Sequence, residues 1–476
     1  MAGSRRSARG GGRAAAPPCL PLPRSALPRQ GQAVPATGRV LGCGHAGQLR
    51  EVAEEERWLW QGSTRWSYCN RVHNQSKASG GAPASRRLLA RPRKEEMASG
   101  ADSDQLLVEA NGYTRTLILN RPKQLNALSS AMIKELLRCF TTYEKDDGVK
   151  LLIMKGKGRA FCSGGDVTEC IQSIHNEGWK WVADDFFRNQ YLLYYKVATC
   201  IKPQVSLLTG IVMGGGAGIS LHGSFRVATD KTVFAMPETA LGLFPDAGAS
   251  YFLSRLPGFY GEYVALVGAR LDGAEMLMCG LATHFVQSNK LLSLEESLKN
   301  VDTSNTLAVC RIIDQFSEQP SLKENSSLNR LEIINKCFSN RTVEEIISTL
   351  EQVASNLADE WVAVTIQSLK KASPTSLKIS LRSIREGRTQ TVEECLRREY
   401  RMLCHVVRSD FSRDFFEGCR AILVDKDQNP KWMPPRLDQV HDEAVEQYFS
   451  RIDDPQWEDL NLPTRRSYRR NIESSL

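Results

Sequence analysis

Past residue 104 the chain alternates between short apolar runs and stretches with an apolar residue every three or four positions, the periods of strands and of helices. Residues 105–109 and 114–120 are two such runs, separated by Ala110, Asn111, Gly112 and Tyr113. Asn-Gly between apolar runs predicts a β-hairpin, and Arg121 and Pro122 close its second strand. Ser129 is placed to cap a helix whose residues Met132, Ile133, Leu136, Leu137 and Phe140 share one face as far as Tyr143. After the turn Asp146, Asp147, Gly148, residues 150–155 read as a buried strand. Hairpin, helix and strand in that order imply a crossover connection.

The pattern continues. Residues 167–200 read as helical and carry Trp179, Trp181, Phe186, Phe187, Tyr191, Tyr194 and Tyr195. Their spacing predicts core packing; a hydrophobic cover over a ligand is the other role open to them. Residues 203–209 form an apolar strand. The glycine-rich stretch 210–218 then leads into a short helix at 219–222, and strands follow at 225–228 and 232–235. From 249 to 281 the pattern is helical with a break at Pro257–Gly258, and it stays mainly helical to 424 apart from a polar loop at 317–327. Repeated strand–turn–helix units predict a layered α/β fold. No fixed-period repeat is visible.

Composition changes this picture mainly at the N-terminus. The chain has 476 residues, 41% hydrophobic and 24% charged, ordinary for a globular protein. The net charge of +8 is unevenly placed: residues 1–96 hold fifteen Arg and two Lys against six Glu, a net +11, which leaves −3 for the rest. The body therefore gives no reason to expect a nucleic-acid partner. Residues 1–50 have eight Arg and no acid, a composition that cannot build a core. An Arg-rich, acid-poor start fits an organelle transit segment, although the prolines at 17, 18, 21, 23, 28 and 35 oppose an amphipathic helix. A second reading starts the functional chain at Met97. Thirteen scattered Cys without a CxxC pair or a metal-like Cys/His cluster favour reduced thiols over a disulfide framework and predict no metal site. No apolar run is long enough to cross a bilayer, so no membrane partner is expected.

The candidate chemistry lies in residues 210–246, where Gly214, Gly215 and Gly216 precede two acids, Glu238 and Asp246. Two convergent backbone N–H groups best stabilise the oxyanion formed on a thioester carbonyl. Gly165, in GRAFCSGGD, and Gly215 each follow a strand and are the candidate donors. Alone, either motif is an ordinary glycine turn. No GK[ST] follows the triple glycine, which excludes a Walker-type loop, and no GxGxxG follows the first strand.

Four motifs in order give a sharper signal: NRPKQLNALS at 120–129, GRAFCSGGDV at 158–167, GIVMGGGAGIS at 210–220 and FAMPETALGLFPDAG at 234–248. Together they resemble the enoyl-CoA hydratase/isomerase (crotonase) superfamily. Within it, GARLDGAEMLMCGLATHFV at 268–286, SPTSLKISLR at 373–382 and DFFEGCRAILVDKDQNPKW at 414–432 resemble the 3-hydroxyisobutyryl-CoA hydrolase family, in its plant branch. The resemblance implies an α/β crotonase (ClpP-like) fold of layered sheets with surrounding helices and an extended helical C-terminal region. It also implies hydrolysis of 3-hydroxyisobutyryl-CoA in valine breakdown. No metal or redox cofactor is implied, since CoA arrives as part of the substrate. Hydratases of the superfamily carry a first glutamate at the position of Gly218, and a glycine eight residues after the second glutamate, where this chain has Asp246. Glu238 and Asp246 are thus the implied catalytic pair, with Gly165 and Gly215 as oxyanion hole. Outside such a context, a Glu or Asp after Pro serves to start or cap a helix. One position departs from the family: FFRNQY at 186–191 puts Gln190 where the pattern carries a substrate-contacting glutamate, replacing a charge by a neutral donor and acceptor.

The expected organisation is a basic extension at 1–96, a catalytic core at 97–290, a helical region at 291–435 and a tail at 436–476. The alternatives are an enoyl-CoA isomerase or hydratase of the same fold, which Gly218 disfavours for the hydratase, and a non-catalytic RNA-binding protein, which the −3 body disfavours. The extension points to the mitochondrion. Ser474, Ser475 and Leu476 loosely resemble the peroxisomal S-K-L address but lack its basic residue. A homo-oligomer is the remaining expectation.

Overall fold

A computed structural model describes residues 105–463. The N-terminal extension and the last thirteen residues, with the expectations attached to them, lie outside the described residues. Strands β1 (Leu106–Asn111) and β2 (Thr114–Leu119) pair antiparallel as the Asn-Gly turn predicts. Ser129 accepts a hydrogen bond from the Met132 N–H (3.1 Å) and caps helix Ser130–Lys145. This helix leads to β3 (Leu151–Gly156), which lies parallel to β2.

The sequence reading assigned one strand each to 150–155 and 203–209, whereas the structure adds a short second strand after each; the two strands read at 225–228 and 232–235 are both present. β3, β5 (Gln204–Leu208) and β7 (Phe225–Ala228) lie in a six-stranded sheet with β10 (His284–Phe285), of order β1-β2-β3-β5-β7-β10. Each is followed at once by a short strand of a second sheet: β4 (Ala160–Cys162), β6 (Ile211–Met213) and β8 (Val233–Ala235). The glycine stretch therefore contains a strand, and its helix starts at Gly215 and runs to Leu221, earlier than the expected 219. The region read as helical from 249 to 281 includes β9 (Leu271–Asp272), which pairs with β8, and β10 (His284–Phe285) lies just past its end. Strands of two or three residues leave no period to read.

The large sheet is buried on both faces, as a parallel sheet needs to be. Leu151, Ile153, Val205 and Leu207 pack with Val286, Leu294, Leu298, Val309 and Ile313, from the helices Leu291–Lys299 and Thr306–Asp314 among others. The alternate residues Leu152, Met154 and Leu208 face the main core. Past residue 330 the chain is helical, and Pro374–Gly387 and Val392–Arg408 are largely buried. Among the described residues no helix is long and apolar enough to cross a membrane.

Ser373 joins three elements near the candidate acids. Its side chain accepts from the Ser376 N–H (3.1 Å), capping helix Pro374–Gly387, and donates to Asp414 Oδ2 (2.6 Å). Its own N–H donates to the Thr239 carbonyl (3.1 Å), one residue from Glu238. The serine is fully buried, so removing the hydroxyl deprives Asp414 of a partner as well as the helix of its cap. Ser373→Ala is expected to lower the unfolding free energy by about 2 kcal/mol, read as a shifted urea midpoint with an unchanged slope.

Candidate active site

β4 and β6 are parallel neighbours, with Ala160 opposite Ile211 and Cys162 opposite Val212. The loops leaving their C-terminal ends therefore emerge side by side. Gly214 has φ +48° and ψ −123°, a conformation side chains resist, and it turns the chain so that Gly215 begins the next helix. The first N–H groups of a helix have no partner within it. A Cβ placed on Gly215 would lie 3.2 Å from the Gly165 nitrogen and 2.8 Å from both Gln190 Nε2 and the Tyr194 hydroxyl. The two predicted oxyanion donors are thus brought together, and Gln190 lies over both. Gln190 is buried, and its Oε1 has no hydrogen-bond partner. Gly164 and Asp166 bond to Leu128 on either side, through Leu128 N–H to the Gly164 carbonyl (2.8 Å) and Asp166 N–H to the Leu128 carbonyl (2.9 Å). Arg121, in the same motif as Leu128, is held against Asp166 at 2.9 Å.

Glu238 opens the single turn Glu238–Leu241 just after β8. Its Oε1 sits 3.1 Å from where a Cβ on Gly214 would be, and its Oε2 is buried with no hydrogen-bond partner. Asp246 is also buried and accepts from the Tyr191 hydroxyl at 3.3 Å. Burial, reinforced by the nearby Asp246 charge, holds the Glu238 carboxyl far above the usual carboxylate range. Burial followed by the Glu399 charge pushes Asp246 up to about 7, against a pull back from Tyr191. Both carboxyls therefore resist ionisation, Glu238 the more strongly.

Gly218 has no room for a side chain. A Cβ there would lie 2.5 Å from Tyr194 Cε1 and 2.8 Å from Ala247 Cβ. The position that the resemblance assigns to the hydratase acid is therefore filled by a ring and a methyl group. Most of the aromatic cluster is core: Phe186, Phe187, Tyr191, Tyr194 and Tyr195 are buried, while Trp181 is exposed.

The turn after Asp246 is held from outside. Ala247 has φ +61° and Gly248 φ +80°, and a non-glycine residue in that region is strained. Glu399, on helix Val392–Arg408, accepts from Gly248 N–H (2.6 Å), Ser250 N–H (2.9 Å) and the Ser250 hydroxyl (2.5 Å). His222 Nε2 lies 2.9 Å from the Ala247 carbonyl. Burial lowers His222 to about 4, so the ring is neutral and donates from Nε2. Sequence reasoning missed Glu399. The signal was a charge inside an apolar stripe, since Cys395, Leu396, Met402, Leu403 and Val406 are buried on the same helix.

Comparison with known proteins places this geometry among acyl-CoA enzymes. Residues 114–449 match the family described as enoyl-CoA hydratase/isomerase. The chain is 60% identical over 365 residues to 3-hydroxyisobutyryl-CoA hydrolase 1 of Arabidopsis thaliana, covering 77% of this chain and 96% of the relative. It is 46% identical to 3-hydroxyisobutyryl-CoA hydrolase-like protein 1, mitochondrial, of the same plant, covering 76% of this chain and 90% of that one. Among solved structures, a carnitinyl-CoA dehydratase from Mycobacterium thermoresistibile superposes with a TM-score of 0.67 at 33% identity, over 75% of this chain and 98% of its own.

Glu399→Gln keeps the shape but offers one acceptor oxygen to three donors. Unfolding free energy is expected to fall by about 1–3 kcal/mol, measured by urea denaturation. An unchanged midpoint would show that the turn does not depend on this carboxylate.

Proposed function

The chain belongs to the enoyl-CoA hydratase/isomerase family, and from that membership we propose that it hydrolyses 3-hydroxyisobutyryl-CoA to 3-hydroxyisobutyrate and CoA, a step of valine breakdown, in the mitochondrion. The observation that carries the reaction type is the closed space at Gly218. Hydration across a double bond uses two carboxylates flanking the acyl chain, and here one of the two positions is occupied by Tyr194 and Ala247. Of the acids that remain, Glu238 lies against Gly214, and the Asp246 charge raises its proton affinity. The 60% identity to a plant 3-hydroxyisobutyryl-CoA hydrolase supports the substrate, and the relative named as mitochondrial supports the location, as does the Arg-rich extension.

In this mechanism the thioester carbonyl oxygen lies between the N–H groups of Gly165 and Gly215, which stabilise the charge it gains as water attacks. Glu238 is the principal acid/base and Asp246 its partner. The pair holds one proton near neutral pH. One carboxylate takes the proton of the attacking water as the C–O bond forms, and the other's proton passes to the departing CoA thiolate as the C–S bond breaks. Glu238, held protonated by burial, supplies the proton to the thiolate, and Asp246, which ionises near neutral pH, takes the one from water. Gln190, with an uncommitted amide oxygen beside the glycines, binds the acyl hydroxyl. The substrate is the expected partner, and self-association is read by light scattering.

Glu238→Gln is expected to lower kcat about 10²–10⁴-fold, followed as release of free thiol from 3-hydroxyisobutyryl-CoA. Undiminished release would falsify the mechanism, while hydration of crotonyl-CoA by the unaltered protein would overturn the reaction type. Activity should rise with pH through an apparent pKa near the Asp246 value of about 7, and Asp246→Asn should abolish that limb together with most of the rate.

The same group sets a stability trend. A carboxyl raised on folding favours the folded state fully below its unfolded value, and this contribution disappears as pH rises through the folded value. For Asp246 the window runs from 3.8 to about 7. Above it the native state holds a buried charge, so Asp246→Asn is expected to stabilise the protein at pH 8 on the order of 2–4 kcal/mol and to change little at pH 4, measured by thermal unfolding at both.

A further inference from the structure

Away from the carboxylate pair, three side chains of different chemistry converge at the end of the large sheet. His284 lies in β10, the last strand in the sheet order, which pairs with β7 through only two residues. Cys310 and Asp314 are one turn apart on helix Thr306–Asp314 and face it. The distances are 3.3 Å from His284 Nε2 to Asp314 Oδ1, 3.8 Å from Nε2 to Cys310 Sγ and 3.6 Å from Sγ to Asp314 Oδ2. We propose that His284, Cys310 and Asp314 form a zinc-binding site that clips β10 to this helix.

Tetrahedral zinc, with Zn–S near 2.3 Å and Zn–N and Zn–O near 2.0–2.2 Å, requires ligand–ligand edges of roughly 3.3–3.6 Å. One ligand atom from each side chain lies within 4.8 Å of the others, and since the two Asp314 distances run to different carboxylate oxygens, a turn of that carboxylate brings the three toward one face of the tetrahedron. Imidazole, thiolate and carboxylate are all zinc ligands, and water completes the fourth corner. The ring is already oriented. His284 Nδ1 is 2.8 Å from the Thr283 hydroxyl, which leaves Nε2 to face the sulfur and the carboxylate. Metal-bound imidazoles are generally fixed by such a bond from their other nitrogen. The side chain of His284 is 10% exposed and that of Asp314 59%, so the cluster has a buried anchor and an open side through which an ion enters. On binding, the Cys310 thiol gives its proton to solvent and zinc takes its place on the sulfur. Sequence spacing could not show this, because His284 and Cys310 are 26 residues apart and no CxxC or HxxxH pattern marks them.

The site acts on the fold. A short edge strand gains a side-chain link to the helix that packs on that end of the core, and a ligand bound only by the native state raises stability by mass action. The test uses the full-length, reduced protein stripped by chelation, titrated with Zn(II) by calorimetry and with Co(II) by absorbance. One equivalent is expected, with thiolate-to-cobalt charge-transfer absorption in the near ultraviolet and a higher Tm when Zn(II) is present. Cys310→Ser should lose the charge-transfer band. Both Cys310→Ser and Asp314→Asn should weaken Zn(II) about tenfold or more and lose the Tm response. Asp314 is largely exposed, so its substitution leaves the fold intact, and unchanged circular dichroism checks this for both variants. The proposal is overturned if the unaltered protein takes up no stoichiometric zinc, or if the two variants bind it as the unaltered protein does. Neither readout depends on thioester hydrolysis, so its failure is separate from any failure of the proposed reaction.

Discussion

The Glu399 carboxylate reaches out of helix Val392–Arg408 to accept three hydrogen bonds from Gly248 and Ser250, and the position of Asp246 depends on the turn those bonds hold. Ala247 and Gly248 both have positive φ, so the turn is not one the local chain would keep unaided. Glu399 supplies the restraint from 151 residues downstream. The C-terminal helices therefore help set the position of Asp246. They also close around the site: Ser373 fixes the carbonyl of Thr239, next to Glu238, and Tyr400, adjacent to Glu399, packs edge-on against Tyr191, the hydroxyl donor to Asp246.

Glu399 has a second effect of opposite sign. It is an additional buried carboxylate near Glu238 and Asp246, and its charge raises the proton affinity of both. The three acids are compensated unequally. Glu399 has two N–H donors, a hydroxyl and the nearby Arg398 charge. Asp246 has one tyrosine hydroxyl with help from its own and the Ala247 backbone, and Glu238 Oε2 has no partner. The acid with least support lies nearest the glycines, where a substrate and a water would supply the missing bonds. Burying polar groups without partners works against stability, and here the deficit is concentrated where chemistry needs acids with high proton affinity.

The hairpin, the capped helix after Ser129 and β3 were legible because each has an unambiguous period or a strong turn signal. Of the second sheet only the strand at 232–235 was legible; the others are too short to carry a period, and the pairing joins residues such as Cys162 and Val212, fifty apart. At the site, glycines and acids could be picked out because their types are constrained by what they would do. The structure brings Gly165, Gly215 and Gln190 into one cluster, with Glu238 against Gly214. The supporting residues could not be found this way. Glu399, His222 and Ser250 act through the turn, and a side chain that acts on a backbone far away in sequence leaves no local pattern. Glu399 alone left a trace, as a charge on an apolar face.

Gly218 has a consequence for how such enzymes diverge. It reads in the sequence as a missing carboxylate, but its place is full: Tyr194 and Ala247 occupy the volume a side chain would need. Restoring an acid there means first reducing a tyrosine that lies against Gln190 and Gly215, and shifting an alanine in the turn that holds Asp246. The two chemistries are then separated by a set of coupled substitutions, each harmful without the others. A lineage that has filled this space cannot return by a single step, and its reaction is preserved by packing as well as by its catalytic groups.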